Sequence, residues 1–325
     1  MIKKARKKPI QLKKLAVLKK RLHINHPKWQ LVSENLAKSE AGFRGEVALD
    51  YQLSFLPDKD HYIFHDLRLK DNKLRYFQMD TLIISLKFYL LLEIKNIVGT
   101  LFFDQEFHQL IRTYQNENQT FPDPLLQIRR QQRQLQSWIK QNKLPQAPII
   151  PFVIISSPSS TIQTNSKSPH LLRNVIHSAA LPFKIEELEE KFHKSLFTKK
   201  ELNTVTRRLL KTHEPYNPNI LETYQLSKKD IIKGVYCEKC SSYSMKRERG
   251  IWRCPICWTT SMNGHLYALN DYSLLFGQKI TNAECRDFLG IESESIARKI
   301  LTIICIDSEG ENKNRSYILP IDDEG

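Results

Sequence analysis

With 325 residues, 41% of them hydrophobic and 26% charged, the chain can hold two or three domains and bury a core in each. Fifty Lys and Arg against 35 Asp and Glu give 50 − 35 = +15, a balance that calls for a polyanionic partner, nucleic acid before an anionic membrane surface. No apolar run approaches the ~18–20 residues that span a bilayer, no secretory core follows the basic N-terminus, and four of the six cysteines fall in two C-x-x-C pairs, so a membrane protein and a disulfide scaffold are set aside and a cytoplasmic location is expected.

Residues 1–29 form a basic arm, with ten Lys or Arg between Met1 and Arg21 and no acid before Glu34. Leu15, Leu18 and Leu22 recur at helical spacing, so the arm is either an amphipathic helix that adds phosphate contacts or a solubilising tail. Asn35–Leu53 predicts a helix with Leu36, Phe43, Val47 and Leu49 or Leu53 inward. Strands are expected at Tyr62–Leu69, Phe77–Ile84 and Tyr89–Lys95, the last two joined by a short turn near Leu86 and Lys87. A loop-rich stretch with Phe102, Phe103 and Phe107 follows. Pro122 and Pro124 then precede a helix over Leu125–Gln141, and the Ile- and Val-rich Ile149–Ser156 predicts a central strand. Helix, three strands, helix, strand gives an α/β fold over 30–180, a mixed sheet flanked by helices. Ser157–Pro169 reads as a loop. Helices are expected at His170–Ala179, Ile185–Leu196 and Thr198–Thr212, the last opened by a capping box of Thr198 and Glu201. With Pro215 and Pro218 as linker, 181–232 is a helical extension.

The chemistry gathers on two of these strands. Period-two geometry puts Glu93 and Lys95 on one face, while Ile94 points into apolar packing. Asp80, on the neighbouring strand, can sit beside Glu93. Two converging carboxylates suit Mg²⁺ or Mn²⁺, and a nearby lysine can orient or help deprotonate a water and stabilise charge on a phosphate. On its own, E-x-K in a strand is more often a salt bridge or a solvated edge. Here it ends the apolar run Tyr89–Leu92, where charges need a reason to be held.

Four fragments occur in order: Gly42-Phe43-Arg44-Gly45-Glu46 in the first helix, Gln78-Met79-Asp80-Thr81-Leu82 in the second strand, Leu92-Glu93-Ile94-Lys95-Asn96 followed by Gly99, and Asp123-Pro124-Leu125-Leu126-Gln127 opening a helix. Together they resemble the nuclease-related domain (NERD) of the restriction-endonuclease-like superfamily, over residues 40–156. The resemblance implies that superfamily's core and a metal-dependent nuclease acting on nucleic acid, DNA favoured over RNA. It implies that Asp80 and Glu93 bind the metal, that Lys95 is the catalytic lysine, that Glu46 is a helical acid approaching the same metal, and that Gln127 faces the site with Gln131 one turn on. Met79 stands where many members have proline, and Asp123 where the family often has asparagine; neither change removes a ligand. A nucleic-acid-binding protein on a silent nuclease fold, and an interaction protein that recruits a partner, are the alternatives.

Cys237, Cys240, Cys254 and Cys257 form two C-x-x-C knuckles with thirteen residues between them, which resembles a zinc ribbon at 233–268. Four thiolates would close a structural Zn²⁺ site, and no thioredoxin-like context favours redox chemistry. Lys246, Arg247, Arg249 and Arg253 with Tyr243, Trp252 and Trp258 either contact nucleic acid or, for the aromatics, pack the ribbon's core. In 269–325, helices at Ile280–Leu289 and Ser293–Leu301 about Gly290, then a strand pair over Ile303–Tyr317, resemble a helix-turn-helix or winged-helix arrangement, with packing or protein interaction as the other use. Cys305 is expected to be a buried thiol.

Overall fold

A computed structural model describes residues 1–57, 61–165, 172–310 and 315–320. They separate into two compact units, Met1–Arg6 with Glu40–Pro215 and Lys7–Ser39 with Tyr216–Gly325. The chain opens with β1 (Ile2–Lys4), α1 (Ile10–Arg21) and α2 (Trp29–Leu53), so the basic arm carries regular structure and α2 starts six residues before the expected Asn35.

The first unit continues with β2 (Tyr62–Lys70), β3 (Tyr76–Ile84), β4 (Tyr89–Lys95), β5 (Thr100–Asp104), β6 (Gln109–Tyr114) and β7 (Glu117–Pro122). After these come α3 (Pro124–Gln141), β8 (Ile149–Ile155), β9 (Thr161–Thr164), β10 (Val175–His177), α4 (Leu181–Lys191) and α5 (Lys199–Thr212). Its main sheet is mixed, in the order β1-β2-β3-β4-β8-β10. β2, β3 and β4 run antiparallel, whereas β4, β8 and β10 run parallel. The α/β class and the flanking helices are as expected.

β4 lies at the centre and feeds two cores. Tyr89 and Leu91 pack with Leu125, Ile128 and Trp138 of α3 and Leu202 and Val205 of α5. Leu90, Leu92 and Ile94 pack on the opposite face with Leu49 and Leu53 of α2 and Leu181 and Ile185 of α4. A strand covered on both faces needs an unbroken apolar run, which is why Phe88–Leu92 has no polar alternation. Burying each such side chain contributes roughly 1.5–3 kcal/mol before the entropy of ordering is charged.

Several expectations are corrected. The stretch after β4 is not loop-rich: β5, β6 and β7 form a second sheet with β9, in the order β7-β6-β5-β9. Its outer strand, Glu117–Pro122, is nearly all exposed polar residues and carries no hydrophobic period. β9 pairs parallel with β5, so Thr161–Thr164 is a strand within the expected loop. Of the expected helix His170–Ala179, residues 170 and 171 lie outside the described residues, and the rest is β10 between two short 3₁₀ turns. Val175-Ile176 is β-branched and pairs parallel with β8, so tertiary pairing sets its conformation. The helix expected at Ile185–Leu196 runs instead over Leu181–Lys191, with Pro182 in its first turn. On α2, Val47 points outward at 45% exposure, and the inward row is Gly45, Leu49 and Leu53, spaced one turn apart.

The second unit holds a four-stranded sheet of β11 (Val235–Cys237), β12 (Ser242–Glu248), β13 (Ile251–Arg253) and β14 (Thr260–Ser261) in sequence order. It also holds α6 (Ile220–Thr223), α7 (Gly264–Phe276), β15 (Lys279–Thr281), α8 (Asn282–Leu289), α9 (Glu294–Ile304), β16 (Asp307–Glu309) and β17 (Ser316–Ile318). The helix pair about Gly290 and a strand pair after it are present, while residues 311–314, where a polar turn is expected, lie outside the described residues. The helix α7 has no counterpart among the expected elements. Cys305 is half-buried, and it is Cys285 that is buried. Arg21 organises this unit. Its fully buried guanidinium donates to Asp271 Oδ2 at 2.7 Å and to the carbonyl of Ile232 at 2.9 Å, and it lies 4.6 Å from the rings of both Tyr243 and Phe288. Arg21, one of the arm's ten basic residues, is thus structural and cannot be assigned to phosphate.

Two glycines of α2 test how the helix is seated. A Cβ at Gly45 would collide with Asn96 and with the Ser156 hydroxyl, whereas one at Gly42 meets nothing within 4 Å. Asn96 also donates to the Ala41 carbonyl at 2.7 Å, which ties the end of β4 to the helix. We expect Gly42→Ala to stabilise the protein by about 0.5–1 kcal/mol through helix propensity. Gly45→Ala should destabilise it by about 1–2 kcal/mol despite the same gain. Chemical denaturation of both variants reads the difference; equal effects would mean that α2 is not held this close.

Candidate active site and metal centre

The acids converge where the sheet opens. β3 and β4 pair from Ile84–Tyr89 to Thr81–Leu92, and there the ladder ends. In place of a further strand partner, Asp80 Oδ2 accepts the Ile94 backbone N–H at 2.8 Å. The break is visible in the side chains too. Phe77 and Met79, then Leu82 and Ile84, share one core, so the inward alternation slips at Asp80 and Thr81. The paired strand slips at the same level, where Asp66 takes a left-handed φ of 52°. The slip turns Asp80 from a face of the sheet towards β4.

Glu93 is buried and accepts three side-chain hydrogen bonds, two at Oε1 and one at Oε2. Lys95 Nζ donates to its Oε1 at 2.7 Å, and Gln127 Nε2 to the same oxygen at 2.6 Å. Gln131 Nε2 donates to Oε2 at 2.9 Å and to the Gln78 carbonyl at 2.9 Å. Lys95 Nζ also donates to Gln127 Oε1 at 3.1 Å, closing a ring of three side chains. Gln127, Gln131 and Gln134 fall on one stripe of α3, which starts sharply because Asp123 caps the Leu125 N–H and Pro124 fixes the first turn. Gln131 Oε1 is buried without a partner among the described residues.

Sequence reasoning missed the group on the other side. Arg6, delivered by the chain after β1, donates to Glu46 Oε2 at 2.6 Å and to Asp50 Oδ1 at 3.0 Å. Its Nη2 also approaches His65 Nδ1 at 2.9 Å and Thr81 Oγ1 at 3.5 Å. A guanidinium only donates, so His65 Nδ1 accepts and the ring proton sits on Nε2. Burial, reinforced by Arg6, lowers the His65 pKa to about 4. The available signal was Glu46 and Asp50 at i and i+4, two acids on one helix face in need of a cation.

The electrostatics are unbalanced. Burial raises Glu46 to about 7 despite Arg6, and Asp66 and Glu93 add repulsion. Asp80 is pushed well above the usual carboxylate range by burial first, then by the charges of Glu93 and Glu46, against the Ile94 N–H and Lys95. Asp80 Oδ1 takes no hydrogen bond from the described residues. These are hard oxygen donors whose mutual repulsion a divalent cation would relieve, so the chemistry of the set fits Mg²⁺ or Mn²⁺. Five expected residues, Glu46, Asp80, Glu93, Lys95 and Gln127, are linked here by hydrogen bonds or by charge interaction.

Residues 41–156 match the family model described as the nuclease-related domain, NERD. This segment is a nuclease-related domain. No curated protein and no solved structure matches the chain. All five residues lie within the NERD segment, whereas Arg6 reaches its helix from outside it.

The four cysteines form a second centre, beyond the NERD domain. Their sulfurs all lie within 4.8 Å of one another, with Cys237 to Cys257 at 3.5 Å and Cys240 to Cys254 at 3.4 Å. A tetrahedron with Zn–S of about 2.3 Å has edges of about 3.8 Å, so four thiolates here could hold zinc. Each knuckle is followed by a residue with left-handed φ, Ser241 at 55° and Trp258 at 61°. The Ser244 hydroxyl lowers Cys254 to about 5, while burial raises Cys237 to about 11. Trp252 is fully buried and donates to His265 Nδ1 at 3.1 Å, as a core residue does; Trp258 is 70% exposed and packs no core.

The raised Glu46 sets a pH dependence. The folded chain keeps its proton up to about 7, whereas the unfolded chain releases it near 4.5. This group's contribution to stability is therefore fully present below about pH 4.5 and is lost as pH rises through about 7, when no divalent cation is added. The thermal midpoint of wild type should fall relative to Glu46→Gln between about pH 5 and 8; parallel curves would contradict the raised carboxyl. For the second centre, metal analysis should find one zinc per chain in wild type and none in Cys254→Ser, whose second unit should unfold earlier. Full zinc content in that variant would remove the site.

Proposed function

We propose that the NERD domain is a divalent-metal-dependent nuclease that hydrolyses phosphodiester bonds in nucleic acid, DNA by preference. The observation that supports this most is the opening between β3 and β4, where Asp80 and Glu93 meet beside Lys95. Asp80 and Glu93 would hold the metal, with Glu46 approaching it from α2. When bound, Mg²⁺ or Mn²⁺ supplies an activated water and neutralises phosphate charge. Lys95 Nζ, tethered to Glu93 and Gln127, is the group that orients the attacking water and meets the charge that develops on the phosphate. Gln127 and Gln131 hold the Glu93 carboxylate in one orientation before any ligand arrives. The zinc centre is structural in this reading, and the protein's basic charge serves the substrate.

One observation favours a second reading, a nucleic-acid-binding protein on a silent nuclease fold. Both oxygens of Glu93 are already satisfied by protein donors. Purified protein incubated with supercoiled plasmid and Mn²⁺, beside Lys95→Ala and Asp80→Ala, separates the two. We expect cleavage by wild type and a loss of about 10²–10⁴-fold in either variant. Turnover in Lys95→Ala equal to wild type would sink the assignment, and salt-sensitive binding without cleavage by any of the three would favour the second reading.

A further inference from the structure

The nuclease reading leaves open where the substrate strand lies, and α3 carries a surface that none of its roles uses. Beside the Gln127–Gln131 stripe runs a groove of about 870 Å³ between α3 and the turn joining β2 to β3. Gln78, Gln127 and Gln131 line it, so it reaches the residues that hold Glu93. Arg129, Arg130 and Arg133 border it from successive turns of α3, all exposed. None of the three forms an ion pair among the described residues. Arg75 lines it as well, braced on the buried Asp71 at 2.8 Å. Asp71 is the groove's one acid among the lining residues, and Gln134, two backbone N–H groups and Arg75 already consume it. Four guanidinium groups thus face one neutralised carboxylate.

The chemistry of the lining says what such a groove takes. Its aromatic residues are committed elsewhere. Phe77 is buried in the core, and the Tyr76 ring already carries Arg68 at 3.4 Å and Lys70 at 4.8 Å. A surface of guanidinium forks and amides without a free ring suits phosphates more than stacked bases.

We infer that this groove is the track for the sugar-phosphate backbone of the nucleic acid on one side of the scissile bond. Arg129, Arg130 and Arg133 pair its phosphates and lead the strand to Lys95. The inference rests on the nuclease reading for the direction of the strand, but its binding step stands apart from chemistry. Recognition here rests on phosphate charge, which carries no sequence information.

The test is fluorescence anisotropy of labelled oligonucleotides, single-stranded and duplex, with full-length protein across a salt series and no added divalent metal. The Arg129→Ala/Arg130→Ala/Arg133→Ala variant is compared with Lys199→Ala/Lys200→Ala/Lys211→Ala, which removes equal charge from the exposed side of α5. These arginines are exposed and the variant should keep the wild-type thermal midpoint. We expect the groove variant to bind at least tenfold more weakly near 0.1 M salt. The slope of log affinity against log salt should shrink by about 2, at roughly 0.7–0.9 for each phosphate that is no longer paired. The α5 variant should stay within about twofold of wild type, and oligonucleotides of different base composition should bind alike. Wild-type affinity and slope in the groove variant, equal weakening in both variants, or no oligonucleotide binding by wild type would each overturn the track. Groove-dependent binding without plasmid cleavage would keep the track and remove the chemistry, whereas Lys95-dependent cleavage with unaltered binding by the groove variant would do the reverse.

Discussion

The site depends on one missing hydrogen-bond partner. A central strand must satisfy its backbone on both sides, and β4 does so through β8 along one edge and β3 along the other until Thr81–Leu92. Beyond that pair the Ile94 N–H would be left without an acceptor, and Asp80 supplies one. The carboxylate is therefore held by the backbone need of the sheet, not by a cation. That is why an acid can be kept where burial and two neighbouring acids all act to protonate it. If β3 continued in register, Asp80 would stand on a face of the sheet and no opening would exist.

Much of this was legible in the residues. The central strand announced itself by the run Tyr89–Leu92 ending in Glu93 and Lys95, and the two-residue spacing placed both charges on the face that meets α3. Gln127 and Gln131, one helical turn apart, had to point the same way once α3 packed there. The cysteine spacing carried the second centre directly. What stayed hidden shares a physical cause. β5, β6, β7 and β9 are short and largely polar on one side, so their strand character comes from one another rather than from local propensity. Val175–His177 became a strand because β8 offered an open parallel edge. Arg6 was beyond reach because nothing in a three-residue strand near the N-terminus reveals that it lands beside Glu46, forty residues on.

The acids fall into two classes, and the distinction bears on how such a site works. Glu93 is pinned by three side chains that keep its orientation whether or not anything else is bound. Glu46 and Asp80 carry raised pKa values, and a divalent cation would favour their charged forms. In the proposed nuclease, cation binding therefore need not rebuild the geometry, because the ring of Glu93, Lys95 and Gln127 is already closed. Preorganisation of this kind removes reorganisation from the reacting step, at the cost of acids that repel one another while the cation is absent. Arg6 limits that cost on the α2 side, since its guanidinium is nearly buried against Glu46 and Asp50 and cannot be taken up by phosphate. The cations free to meet a polyanion are then those outside such pairs, and along α3 they stand in the row that borders the site.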